Sequence, residues 1–164
     1  MEGNKTKPRA ILVFGAPCSG KSTFSEQFAE KYDLALYDFG KLKVQHRLTR
    51  KNILLIISLI ARTGKTIIIE GCLSTEKDRE EIRNILRKAG YNPSLIWIQT
   101  DVNTIRNRLK LRYKSVAKAK EIYETEVSNM EAPSEAEYPI ILSGKHTFDT
   151  QTKHVLAGLA DVIK

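Results

Sequence analysis

Residues 10–24 read AILVFGAPCSGKSTF: five apolar residues, a turn rich in small residues, and the opening of a helical pattern that SEQFAEKY continues. The run Ala10 to Phe14 predicts a strand and the stretch from about Gly20 to Lys31 a helix. Between them Gly15, Gly20, Lys21 and Ser22 fit the spacing G-x-x-x-x-G-K-[ST], in the strand-before, helix-after context that a phosphate loop requires. Glycines let the backbone wrap close to an anion, so that successive N–H groups and the positive end of the helix point at it. Lys21 then bridges the outer phosphates and the Ser22 hydroxyl ligates Mg²⁺. Four fixed positions arise by accident in a chain this long with a probability of roughly 1 in 100 or less. The candidate cradle for ATP with Mg²⁺ is therefore Gly15, Ala16, Pro17, Cys18, Ser19, Gly20, Lys21, Ser22 and Thr23.

The bulk numbers set bounds on the rest. A chain of 164 residues with 41% hydrophobic and 28% charged residues reads as one soluble globular domain, 1–164, with a core of its own. The longest apolar run, Ile53 to Ala61, is too short to span a membrane. The polar N-terminus lacks the apolar region of a signal peptide, and residues 1–8 read as a flexible tail. Cys18 and Cys72 show neither metal-ligand nor disulfide-framework spacing, so a reducing, cytoplasmic setting is expected. The net charge of +8 implies an anionic partner, and ATP accounts for part of it. The densest basic segment, KLKVQHRLTRK at 41–51, reads either as a solvated helix face or as a surface for a phosphorylated or polynucleotide substrate. Oligomeric state is not specified.

Along the chain, apolar runs alternate with helical patterns, which predicts βαβ units and a parallel sheet with helices on both faces. The strands expected are Ala10–Phe14, LALYDF ending at Asp38 and Phe39, TIIIE ending at Glu70, SLIWIQT, and YPIIL at 138–142. Helical sequence is expected from about Lys41 to Thr63 without a break, after Ser74 as N-cap, and from Asp101 through NTIRNRLKLRYK into SVAKAKEIYETEVSNMEA. A last helix follows Ser143-Gly144. This is a three-layer phosphate-loop NTPase pattern with a five-stranded parallel sheet, and residues 106–132 read as a helical lid. In such sheets ligands bind beyond the carboxyl ends of the strands, which selects Asp38, Glu70 and the segments after Thr100 and Ser143.

Phosphoryl transfer needs a cradle, a metal, a nucleophile that can lose its proton, and cations to offset spreading charge. Asp38 is placed to accept a hydroxyl proton; the alternative is an ordinary turn aspartate. Glu70 can hold the Mg²⁺ through water, or bond to loop amides instead. Arg106, Arg108, Lys110, Arg112 and Lys114 crowd one helix, with 108 and 112 on one face and 106 and 110 on another.

These residues, in this order, resemble the small phosphate-loop kinases related to the polynucleotide 5′-hydroxyl kinase domain, a group that includes zeta-toxin-like and assorted small-molecule kinases. The third strand ends in a carboxylate, and EGCLSTEKDR places Arg79 nine positions after Glu70. An acid-led helix of the form x-x-R-L-x-x-R follows in DVNTIRNRLKLR. The Ser143-Gly144 turn stands where such kinases stack the adenine. The resemblance implies Lys21, Asp38, Arg108 and Arg112 as catalytic residues, with Asp38, Lys41 and Arg79 at the substrate. The sequence departs from the pattern at two places: Gly-Cys-Leu replaces Ala-Thr-Asn after Glu70, and Lys41 stands where polynucleotide kinases carry arginine. Lysine neutralises a phosphate but cannot grip it bidentately.

The sequence thus predicts an ATP- and Mg²⁺-dependent kinase acting on a hydroxyl or phosphate acceptor, with a nucleoside, nucleotide or nucleic-acid 5′-hydroxyl ahead of a sugar or antibiotic alcohol. A nucleotide-binding ATPase or GTPase module without an acceptor, and a basic nucleic-acid-binding protein, are the alternatives.

Overall fold

A computed structural model describes residues 7–161. Five strands, β1 (Arg9–Gly15), β2 (Ala35–Asp38), β3 (Ile67–Glu70), β4 (Asn92–Gln99) and β5 (Ile140–Ser143), pair in parallel in the order β2-β3-β1-β4-β5. The register sets Val13 beside Glu70 and Asp38 beside Glu70, so the C-terminal ends of the three strands on one side come level.

Alternation along β1 sorts side chains to two faces, as strand geometry dictates. Ala10, Leu12 and Phe14 join Ile67 and Ile69 under α3 (Arg50–Ala61) and α4 (Glu76–Lys88), through Ile53, Ile57, Ile82 and Leu86. Ile11 and Val13 join Ile68, Ile96 and Ile98 under α1 (Lys21–Tyr32) and α7 (Phe148–Asp161), through Phe24, Phe28, Val155 and Leu159. Each such fully buried apolar side chain contributes about 1.5–3 kcal/mol. A third, smaller cluster unites α5 (Val102–Tyr113) and α6 (Val116–Ile122) through Ile105, Leu109, Ala119 and Ile122, with Ala16 and Cys18 packed against it. This helical arm continues as a π-helical turn, Tyr123–Val127.

The continuous helix expected from Lys41 to Thr63 is two helices, α2 (Phe39–His46) and α3. Arg47 adopts a left-handed φ of 51°, and Thr49 opens α3 with a reciprocal capping box to Asn52. The N-cap of α4 is Thr75, paired with Asp78, and not Ser74. β5 starts at Ile140, two residues later than expected, because a 3₁₀ turn over Glu135–Glu137 leaves Tyr138 left-handed at φ 48°. Of the expected tail, residues 1–6 lie outside the described residues, as do 162–164 of the last helix. Pro8 is anchored, its carbonyl accepting from Asn92 N at 2.9 Å. Among the described residues no helix is long and apolar enough to cross a membrane.

Candidate active site

The loop between β1 and α1 is built around close backbone approaches. A Cβ at Gly15 would stand 2.6 Å from the Ile98 carbonyl and 2.7 Å from Ser19 Oγ, so only glycine fits. Cys18 (φ 59°) and Gly20 (φ 104°) turn left-handed, alternating the backbone in the manner of an anion nest. Helices α2 to α6 all begin with a side-chain cap, whereas α1 begins at Gly20 without one. Its first N–H groups are left to a ligand, which suits a phosphate.

Neighbouring segments brace this loop. Thr100 Oγ1 donates to the Ser19 carbonyl at 2.9 Å, and Gly144 N donates to the Gln99 carbonyl at 2.7 Å. A Cβ at Gly144 would stand 2.1 Å from both the Ser19 carbonyl and Thr100 Oγ1, so the loop after β5 lies directly on the phosphate loop. Arg108 spans the two, Nη1 donating to the Cys18 carbonyl at 3.1 Å and Nη2 to that of Gly144 at 3.4 Å.

A cleft of about 730 Å³ opens over this loop. It gathers Pro17, Cys18, Gly20, Lys21, Ser22 and Thr23 from the loop and the start of α1, Asp38 and Glu70 from the ends of β2 and β3, Lys41 from α2, and Arg108 and Arg112 from α5. Gly15 lines an adjoining cavity, Ser19 is buried, and Ala16 packs against the arm. Lys21 Nζ donates to the Ala16 carbonyl at 3.3 Å.

Asp38 has two tasks already visible. Its Oδ1 caps α2 by accepting from Lys41 N at 3.0 Å, and its Oδ2 lies 3.3 Å from Lys41 Nζ. That ammonium also reaches Glu26 Oε1 at 3.0 Å. Its hydrogen bonds to Glu26 and then to Asp38 hold the Lys41 pKa above the ordinary lysine value.

Glu70 is only 2% exposed. Its Oε1 accepts from the Ser22 hydroxyl, and its Oε2 is buried with no partner. A hydroxyl and an orphaned carboxylate oxygen at the floor of a phosphate cradle fit a Mg²⁺ ion, directly or through water. Among the described residues no three His, Cys, Asp or Glu side chains gather to hold a metal by themselves, so phosphate oxygens would complete such a shell.

Arg79, expected at the substrate, lines neither cavity. It is 0% exposed, and its guanidinium forks onto Glu137 and donates to the Leu73 and Glu131 carbonyls. It holds the end of the helical arm to α4. The spacing after Glu70 finds the residue but not its direction, which Glu137, 58 positions away, determines. His146, Gln151 and Glu126 also line the cleft. His146 and Gln151 follow from the strand-end rule applied after Ser143; Glu126 sits on the π-helical turn, whose register no sequence pattern announced.

The AAA domain family matches residues 40–136, more than half of the sequence. The chain belongs to the AAA domain family. Solved structures extend the likeness over nearly the whole of this AAA domain protein. A gluconokinase from Sinorhizobium meliloti 1021 superposes with a TM-score of 0.68 at 16% identity, covering 96% of this chain and 95% of that one. The Mycobacterium tuberculosis APS kinase CysC in complex with AMPPNP and APS gives 0.65 at 16% identity, covering 94% and 98%. Chaetomium thermophilum Kti12 in complex with ADP-AlF3 gives 0.69 at 16% identity, covering 94% and 99%. At such identities the likeness is one of fold, and the fold is that of phosphate-loop NTPases. No curated protein matches the sequence significantly.

Proposed function

We propose that this AAA domain protein is an ATP- and Mg²⁺-dependent kinase, with residues 106–132 as its lid, akin to the small kinases related to polynucleotide 5′-hydroxyl kinases. The observation that carries the reading is the register pairing of Asp38 with Glu70, which sets two carboxylates side by side at the edge of a cleft that also holds Lys21 and Ser22.

Each group then has a step. The nest from Gly15 to Thr23 and Lys21 hold the β- and γ-phosphates, and Ser22 and Glu70 hold the ion. When bound, Mg²⁺ neutralises charge on the phosphate oxygens. Asp38 accepts the proton of the acceptor hydroxyl as its oxygen bonds to the γ-phosphorus, while the bond to the β–γ bridging oxygen breaks and ADP leaves. Arg112, and Arg108 once it turns from the Cys18 carbonyl, offset charge on the transferring oxygens. Lys41 steadies Asp38 and meets the acceptor. The loop after Ser143, with His146 and Gln151, takes the base of ATP.

The experiment is transfer from labelled ATP to a panel of nucleosides, nucleotides, sugars and 5′-hydroxyl oligonucleotides. Phosphorylated product that vanishes in Asp38→Asn supports the reading. Nucleotide binding or hydrolysis without product from any acceptor overturns it in favour of a binding module.

A further inference from the structure

The cleft does not end at Lys21. A second cavity of about 600 Å³ opens from it, and Pro17, Lys21, Gly40, Gly71 and Glu126 form a rim common to both. The γ-phosphate side of the cradle therefore faces two ways. One wall of the second cavity is α3, through Arg50, Ile53 and Leu54. The opposite wall is the end of the helical arm, through Thr125, Asn129 and Met130, and the floor is Cys72 with Asp78 and Ile82 of α4.

Around this cavity the elements are tied to one another. Arg50 bridges α3 to α4 by pairing with both Asp78 and Glu81. The arm is clasped to the start of α4 three times: Glu131 N donates to the Ser74 carbonyl at 2.9 Å, Glu76 N donates to Glu131 Oε2 at 2.7 Å, and Arg79 Nη1 donates to the Glu131 carbonyl at 3.0 Å. A cavity of this volume suits a small molecule.

Charge narrows the class. Arg50 is neutralised by its two acids, and Lys21 belongs to the phosphate loop. Lys43 of α2 and Glu126 of the arm line the same cavity and, among the described residues, neither makes an ion pair, so the cavity offers one free cation on the α2 side and one free carboxylate at the rim it shares with the cleft.

We propose that the second cavity is the acceptor site and takes a small monomeric alcohol bearing an anionic group, which Lys43 pairs with, in preference to the end of a polynucleotide. The assignment rests on the kinase reading above. The hydroxyl reaches over the Gly40 rim towards Asp38, and the anion lies back against Lys43.

The test uses the full chain loaded with ADP and Mg²⁺. Calorimetric titration with ribose 5-phosphate, 3-phosphoglycerate and adenosine 3′-phosphate is set against ribose, glycerol, adenosine and a 5′-hydroxyl dodecathymidylate. At least one phosphomonoester is expected to bind, with its uncharged counterpart at least tenfold weaker. Lys43→Ala is expected to weaken that binding about ten- to a hundredfold, the range for a charge-assisted bond. Lys43→Arg should restore most of it, and Lys88→Ala, at the exposed C-terminal end of α4, should change nothing. Failure of every phosphomonoester to bind, equal binding of the uncharged partners, or indifference to Lys43→Ala overturns the proposal. Labelled ATP separates the two readings. Transfer to the oligonucleotide without monomer binding leaves a kinase and removes this acceptor site; Lys43-dependent monomer binding without transfer to any acceptor keeps the site and removes the kinase.

Discussion

Arg79 and Glu137 meet in the interior through two parallel hydrogen bonds, Nε to Oε2 at 2.7 Å and Nη2 to Oε1 at 2.9 Å, and the guanidinium also lies 4.9 Å from the centre of the Phe14 ring. The pair closes a loop of chain between α4 and the end of the helical arm, under the strand that leads to the phosphate loop. Removing one partner of such a pair leaves a buried charge behind. Arg79→Ala is expected to lower stability by about 3–5 kcal/mol. Urea unfolding at neutral pH measures it, and the double variant Arg79→Ala/Glu137→Gln should lose less than the two single losses added.

The same pair makes stability depend on acid. Burial works to raise the Glu137 carboxyl, but the hydrogen bonds from Arg79 and Ser134 outweigh it and hold the pKa below its ordinary 4.5. A carboxylate depressed on folding contributes stability that is present above its unfolded value and is lost as pH falls through the folded one. The melting temperature is therefore expected to fall as pH drops below about 4.5, and to fall less steeply in Glu137→Gln. A pH series of melting curves for the two proteins checks this.

Asp38→Asn separates capping from chemistry. Asparagine caps a helix about as well as aspartate, so α2 should stay in place. Transfer is expected to drop by about 10²–10⁴-fold with ATP affinity unchanged, the loss typical of a general base. Calorimetry for binding and labelled-phosphate transfer for rate, on one preparation, measure both.

Glu70→Gln keeps an acceptor for the Ser22 hydroxyl and removes the charge behind the orphaned Oε2. Half-saturating Mg²⁺ for nucleotide binding is expected to rise by about 10–100-fold, as for other groups that support a metal. A Mg²⁺ titration at fixed ATP analogue reads this shift, and no shift would remove the ion from this corner.

Gly71 and Gly90 are both left-handed, at φ 74° and 85°, but only one is crowded. A Cβ at Gly71 would stand 2.2 Å from Gly40 N, whereas nothing lies within 4 Å at Gly90. Gly90→Ala should cost about 1–2 kcal/mol from backbone strain alone. Gly71→Ala should cost more and disturb transfer, because Gly40 follows the α2 cap that Asp38 supplies. Unfolding curves and transfer rates for the two variants make the comparison.

The sheet and the phosphate loop were legible because short-range rules govern them: apolar runs become buried strands, and G-x-x-x-x-G-K-S can wrap only one kind of ligand closely. Strand ends named Asp38 and Glu70 for the same reason. What lay beyond reach depended on partners far along the chain. Arg79 was found by spacing but sits inside, because Glu137 is there to receive it. The break at Arg47 hid within an apparently continuous helical pattern, although Thr49 and Asn52 carry the capping signal that shows it. Lys43 and Glu126 meet the same cavity only because α2 and the π-helical turn approach one another in space, and no local pattern encodes that approach.

Between Gly144 and Ser19 there is no space for even a methyl group. In the proposed kinase, redesigning base preference at that corner would be coupled to how deeply the triphosphate seats, and a graft of this corner would have to bring both backbone segments, with a threonine at position 100, as a single unit.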